Sequence, residues 1–153
     1  ARLSPARTRE IVRLMTTPIR IRPGNPGAQR CIRTWMRHLS EFIHSLDLVR
    51  ARPAPGWLNE QPARTLECVM AVAGEDYCVS LADEREIDAP GYGEPIRGAL
   101  GFDLPDGVYE VACYLPETGA YSVWLPLAGG PGARLMLPEF RHDLLVRIKR
   151  VKA

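Results

Sequence analysis

The chain has 153 residues, 46% hydrophobic and 25% charged, which fits one stably folded domain and excludes wholesale disorder. Its apolar runs are short and broken by charge, so no membrane span is expected. The net charge of +2 conceals an asymmetry: residues 1–52 set 11 arginines against Glu10, Glu41 and Asp47, while residues 53–153 carry a net −6. Such a split fits an anionic partner for the basic part, or a basic segment that packs on an acidic domain or on a neighbour.

In chain order, "SPARTREIVRLM" opens with Ser4 as a cap and Pro5 at a first helical position, and predicts a short helix. "TTPIRIRPGNPG", residues 16–27, reads as a Pro-rich linker or docking arm. In "GAQRCIRTWMRHLSEFIHSLDLV", Ile32, Trp35, Met36, Leu39, Phe42, Ile43 and Leu46 recur at three-and-four spacing, with Arg33, Arg37, Glu41 and His44 opposite. That predicts an amphipathic helix ending near Asp47, lying on a sheet. Its mixed polar face argues against a membrane-surface helix.

After the Pro-rich stretch 50–64 the period changes to two. Strands are predicted near 64–72, 76–82, 96–104, 107–115, 120–127, 133–137 and 143–150, with "AGED", "LPDG", "PETG" and "GGPG" as turns. The expected fold is mainly β: an antiparallel β-sandwich of about seven strands with an N-terminal amphipathic α-helix packed on it. Residues 1–52 form a helical docking segment and 53–153 the β-sandwich.

In "LPDGVYEVACYLPETGAYSVWLPL", Pro116 and Gly119 suit a four-residue hairpin loop, setting Leu115 opposite Ala120 and Tyr114 opposite Tyr121. Simple alternation then places Tyr114, Tyr121, Val123, Leu125 and Leu127 on one face, and Tyr109, Val111, Cys113 and Trp124 on the other. Both faces are largely apolar, so a covering layer is expected on each. Within the tip, Pro116, Thr118 and Gly119 are structural turn residues, and Glu117 has no assigned role.

The segments "PGAQRCIRTWMRHLSEFIHSLDLVRARP", "LPDGVYEVACYLPETGAYS" and "LPEFRHDLLVRIKRV" together resemble the C-terminal part of a bacterial glycoside hydrolase group. That group pairs a (β/α)8-barrel catalytic domain with a small β-sandwich of the collagen-binding type. Gly107, Tyr109, Pro116, Thr118 and Gly119 match its hairpin pattern, and Pro138 and Asp143 its last strand. Cys113 and Leu115 stand where that pattern carries Trp and Asp. The resemblance implies a non-catalytic accessory domain packing on a catalytic barrel, of the same parent protein or a partner subunit. It carries over no catalytic residue.

Glycoside hydrolysis needs two carboxyl groups at a fixed separation. The densest acidic run, Asp83, Glu84, Glu86, Asp88 and Glu94, sits in a Gly/Pro-rich connection and reads as solvated loop charge. Cys31, Cys68, Cys78 and Cys113 form no zinc signature and read as small buried hydrophobes, although Cys68 and Cys78 flank a turn and could meet as a disulfide. No cofactor or metal is implied. Polysaccharide contact would use aromatic rings as stacking faces; the candidates are Trp57, Tyr92, Tyr114, Tyr121 and Trp124, with core packing favoured for the last three. The alternative function is a standalone binding module whose Arg-rich N-terminal part contacts a polyanion or protein partner. Nucleic acid is disfavoured, since the arginines are dispersed and no known motif is present.

Overall fold

In the computed structural model the described residues are 26–116 and 118–151, with side chains from Ile32 onward. The short helix expected at 4–15, most of the arm at 16–27, the Cys31 side chain and Glu117 lie outside them. The chain divides into two compact units, 1–32 and 33–153, and the second begins inside the helix and contains every strand.

The predicted helix forms as α1, Pro26–His44, with proline at its first position, where no amide donor is lost to the helix. It closes on Ser45, whose amide donates to Glu41 and Phe42 carbonyls and whose Oγ donates to Phe42 O at 2.6 Å. Eight strands come after it: β1 (Arg52–Pro53), β2 (Leu58–Glu60), β3 (Thr65–Val72), β4 (Asp76–Asp83), β5 (Ala99–Leu115), β6 (Ala120–Tyr121), β7 (Leu125–Met136) and β8 (Asp143–Arg150). All pair antiparallel in one hydrogen-bonded sheet of order β1-β3-β4-β8-β5-β2, with β6 and β7 also on β5. The mainly-β antiparallel class expected from the sequence is therefore present.

The expected turns "LPDG" and "GGPG" are not turns. Residues 96–115, predicted as two strands, contain the single 17-residue β5, and "GGPG" lies within the 12-residue β7. Pairing between β5 and β7 shifts register on both sides of the Leu104↔Gly130 contact. There β5 also exchanges its other neighbour. Leu58 and Glu60 of β2 pair with its N-terminal half, Leu145–Arg150 of β8 with its C-terminal half. Bulged strands that change partners make corners in sheets. Side chains from both halves, including Val79, Tyr109 and Val146 from one and Leu100 and Phe102 from the other, meet in a single core.

Gly129 sits at this corner. A Cβ there would collide with the Pro105 carbonyl oxygen and come within 2.8 Å of the Tyr109 ring. The Tyr109 hydroxyl in turn donates to Pro105 O at 3.1 Å.

Alternation in β3, β4 and β8 matches the sequence pattern: Val69, Val79, Leu81, Leu144, Val146 and Ile148 point into this core. The opposite face is covered in part by α1, through Phe42 over Cys78 and Tyr114, with Leu46, Tyr121 and Leu145 around them. Here the helix departs from expectation. With about 100° of turn per residue, the arc through His38, Phe42 and Leu46 meets the sheet, while the arc through Trp35, Leu39 and Met36 does not. Phe42 is 6% exposed, whereas Trp35 is 57%, Met36 59% and Leu39 50% exposed. The apolar stripe is wider than the surface the sheet offers it.

Arg147 fastens the C-terminal end of α1 to the sheet. Its side chain projects from β8 on the helix side and is buried, with Nε and Nη2 donating to the two carboxylate oxygens of Asp76 at 2.8 and 2.6 Å. Nη1 and Nη2 also donate to Ser45 Oγ and Ser45 O at 2.7 and 2.8 Å. A cation at a helix C-terminus meets its unsatisfied carbonyls and the negative end of its dipole.

The N-terminal arginines with described side chains are largely engaged. Arg37 pairs with Glu41, Arg50 with Glu75, and Arg52 donates to the carbonyls of Val49 and Ala51. Cys68, Cys78 and Cys113 are free thiols, so the possible Cys68–Cys78 disulfide is absent. Burial pushes the Cys78 thiol up to about 11, which keeps it protonated and unreactive.

Candidate functional site

A groove of about 480 Å³ opens between α1, the tip of the β5–β6 hairpin and the start of β8. Trp35, His38, Leu39 and Phe42 line it from α1, and Tyr114 and Pro116 from the hairpin. Tyr92, from the connection between β4 and β5, lines it with His142 and Asp143.

Each wall is held by identifiable contacts. The Tyr114 hydroxyl donates to His38 O at 3.1 Å across 76 residues of sequence, and burial holds its phenol above its usual pKa, so it remains a donor. Gly119 adopts φ +67° at the hairpin tip, and a Cβ there would run into the His38 ring. The tip residue is thus glycine for two reasons, a left-handed backbone and a close approach. The expected pairs Leu115↔Ala120 and Tyr114↔Tyr121 form, and the amides of Thr118 and Gly119 both donate to Leu115 O.

The opposite wall is tied to β8. Asp83 N donates to His142 O at 2.8 Å, Arg141 Nη1 donates to Gly93 O at 2.9 Å, and the Tyr92 ring lies 5.1 Å from that of His142. Beneath it, the Asp83 carboxylate accepts from Arg85 Nε and Nη2, both at 2.7 Å, and from the amides of Arg85 and Gly93. These bonds, led by the guanidinium, hold Asp83 down at about 2. The acidic run is therefore not simply solvated loop charge: Asp83 is enclosed, and Glu94 lies 3.4 Å from Arg85 and 3.8 Å from Arg64.

A carboxyl group whose folded pKa lies below its ordinary value of about 3.9 stabilises the fold fully above that pH and loses the contribution as pH falls through the folded value. Asp83→Asn should therefore cost more stability at pH 6 than at pH 2.5, measured by urea denaturation. An equal loss at both pH values would show that the ion pair does not carry the effect.

The structure distributes the five predicted aromatic candidates among three places. Tyr92 and Tyr114 share the groove, Tyr114 buried and Tyr92 half-buried. Trp57 stacks on Tyr77 and Phe102 at 4.6 and 4.9 Å, and its Nε1 donates to Asp103 O at 3.1 Å, so its ring is engaged at the edge of the main core. Tyr121 and Trp124 lie 5.3 Å apart, with Lys149 Nζ 5.6 Å from the centre of the Trp124 ring. Trp124 thus joins Tyr121 instead of the opposite face predicted for it.

The reason is a one-residue slip. Tyr114 pairs with Tyr121, but Val111 pairs with Leu125 and Tyr109 with Leu127. The extra residue between 122 and 125 reverses the facing, as a bulge does. It sends Leu127 to the main core instead of the Tyr121 face.

Sequence reasoning did not assign Trp35, His38 or His142 to a site. The available signal was His38 one turn before Phe42, a polar residue on the edge of an apolar stripe. Among the described residues Asp143 is the one carboxylate lining the groove, and a single carboxylate is not the acid pair of a glycosidase. Among the described residues, no group of three or more His, Cys, Asp or Glu is placed to hold a metal ion.

No family model matches the sequence, and no curated protein sequence matches it. Solved structures do. A chain described as a glycoside hydrolase aligns with 85% of this chain at TM-score 0.56 and 11% identity. A glycoside hydrolase family 5 protein from Bacteroides vulgatus ATCC 8482 aligns with 76% at TM-score 0.50 and 9% identity. This chain spans 30% of the length of the first and 24% of the second. At such identities the likeness is one of fold alone, and it is a likeness to a minor part of those proteins.

Proposed function

We propose that this chain is a non-catalytic accessory domain of a carbohydrate-active enzyme of the glycoside hydrolase type. In this reading residues 53–153 are the β domain, and residues 1–52 lead into it and dock it on a catalytic barrel. The observation that carries the proposal is the uncovered arc of α1. Trp35, Met36 and Leu39 stay half or more exposed although Phe42 on the same helix is buried. Large apolar side chains of this kind, grouped on one helix, mark a protein interface more often than an isolated exposed residue does. A large folded neighbour is the fitting occupant, because the solved chains sharing this fold extend far beyond the aligned part. That one carboxylate lines the groove among the described residues fits a non-catalytic role.

The test expresses the chain with its flanking coding sequence and compares it with the chain alone. Amide hydrogen exchange at 33–44 is expected to slow in the longer protein, and aryl-glycoside hydrolysis to occur only there. Identical exchange at 33–44 would overturn the docking surface. Turnover by the chain alone, abolished by Glu84→Ala or Glu86→Ala, would overturn the non-catalytic role.

A further inference from the structure

We infer that the element covering the exposed arc of α1 is a second α-helix, laid along it, whose apolar stripe is bordered by Asp and Glu. The inference rests on the accessory-domain reading and deepens it by naming the chemistry of the partner surface.

The shape of the arc selects a helix. Counted from Trp35 at about 100° per residue, Leu39, Ile43 and Met36 lie at roughly 40°, 80° and 100°. Trp35, Met36 and Leu39 are exposed and Ile43 is half-buried. From Trp35 to Ile43 the arc runs about 12 Å along the axis. The spacing of Met36, Leu39 and Ile43 is the three-and-four repeat by which one helix receives the side chains of another. The arc is also narrow. One border is Phe42, which is already buried on the sheet side. On the other border Arg33, His44 and Arg37 follow at roughly 160°, 180° and 200°, and all three are exposed. The face of a second sheet would reach over these polar groups and strip them of water, which is costly without partners. A helix about 10–12 Å across fits between the borders. Trp35 and Leu39 also line the groove, so the arc opens on that side into space for large side chains of the partner.

The border charges select the acids. Arg33 makes no ion pair among the described residues. Arg37 meets Glu41 at 3.7 Å, with the two side chains 67% and 64% exposed, a kind of pair that contributes little. Charges beside an apolar helix seam choose the partner through opposite charges on the facing helix, and like charges there repel. Carboxylates on the matching border of the partner would meet Arg33 and Arg37, whereas Lys or Arg there would oppose docking.

The test uses the protein expressed with its flanking coding sequence and carrying Arg33→Lys and Arg37→Lys. A carbodiimide then couples lysine amines to carboxylates in contact, and the unsubstituted protein is the blank at these two positions. Mass spectrometry should find position 33 or 37 joined to a peptide from outside residues 1–153. That peptide should carry Asp or Glu beside apolar residues at three-and-four spacing. In the same longer protein, Arg33→Glu with Arg37→Glu should speed amide exchange at 33–44 about tenfold, the scale of repulsion replacing attraction at one border. In the 153-residue chain alone it should leave that exchange unchanged. A joined peptide without the spacing, one from within residues 1–153 other than Glu41, or none at all would overturn the inference. So would exchange in the longer protein that ignores the charge reversal. If exchange at 33–44 slows in the longer protein but no such peptide is joined, the docking reading stands and the helix partner fails. If such a peptide is joined and the longer protein hydrolyses no glycoside, the helix partner stands and the carbohydrate-enzyme reading fails. Identical exchange in the two proteins would overturn both.

Discussion

Arg147→Met is expected to destabilise the domain by about 3 kcal/mol, because it leaves Asp76 without its partner on a covered face of the sheet. The same substitution strips the end of α1 of the bonds to Ser45 O and Oγ. Urea denaturation should show a lower midpoint with an unchanged slope, since the surface exposed on unfolding stays the same. The double substitution Arg147→Met with Asp76→Leu should recover much of the loss, because removing both charges also removes the desolvation cost. A single-variant loss below about 1 kcal/mol would place this pair with ordinary surface ion pairs.

Gly129→Ala is expected to cost about 3 kcal/mol, the upper end of what overpacking does. The added methyl would strike the Pro105 carbonyl and lie 2.8 Å from the Tyr109 ring and 3.0 Å from the Gly107 amide nitrogen. Two of those neighbours are backbone and cannot swing away. Gly132→Ala is the control: φ there is +69° with nothing within 4 Å of the added atom, so only the backbone preference of about 1 kcal/mol is lost. Equal losses at the two positions, measured by thermal unfolding, would mean that the corner tolerates a side chain.

These two sites show what the sequence made legible. The alternation of Leu144, Val146 and Ile148, and of Val79 and Leu81, reports half-buried strands directly, and β3, β4 and β8 fall where that pattern places them. "LPDG" and "GGPG" mislead because glycine and proline mark any departure from regular pairing, and a corner within two paired strands uses the same residues as a turn. The short strands β1 and β2 are hidden in the Pro-rich stretch; Pro53 is tolerated because β1 is at the sheet edge. The one-residue slip before Leu125 leaves no local signal and reverses every facing beyond it.

The groove is legible only in fragments. Tyr92 and Tyr114 stand out as aromatic residues, but Trp35 reads as part of a buried stripe and His142 has no sequence neighbour that marks it. They meet because α1, the 84–95 connection, the hairpin tip and the start of β8 converge, and that convergence comes from long-range strand pairing. The apolar stripe of α1 predicts from sequence that a layer lies on the helix. How much the sheet covers is set by rotation of the helix about its axis, and three-and-four spacing alone does not fix that rotation.

The place of β8 in the sheet has a consequence for synthesis of the protein. The last strand in sequence lies between β4 and β5, pairing with both. Until residue 150 has left the ribosome, the hydrogen-bonded ladder between those two strands stays open, and only side-chain contacts such as Trp57 on Tyr77 and Phe102 can hold them together. The sheet is therefore completed by its last strand instead of growing strand by strand in chain order.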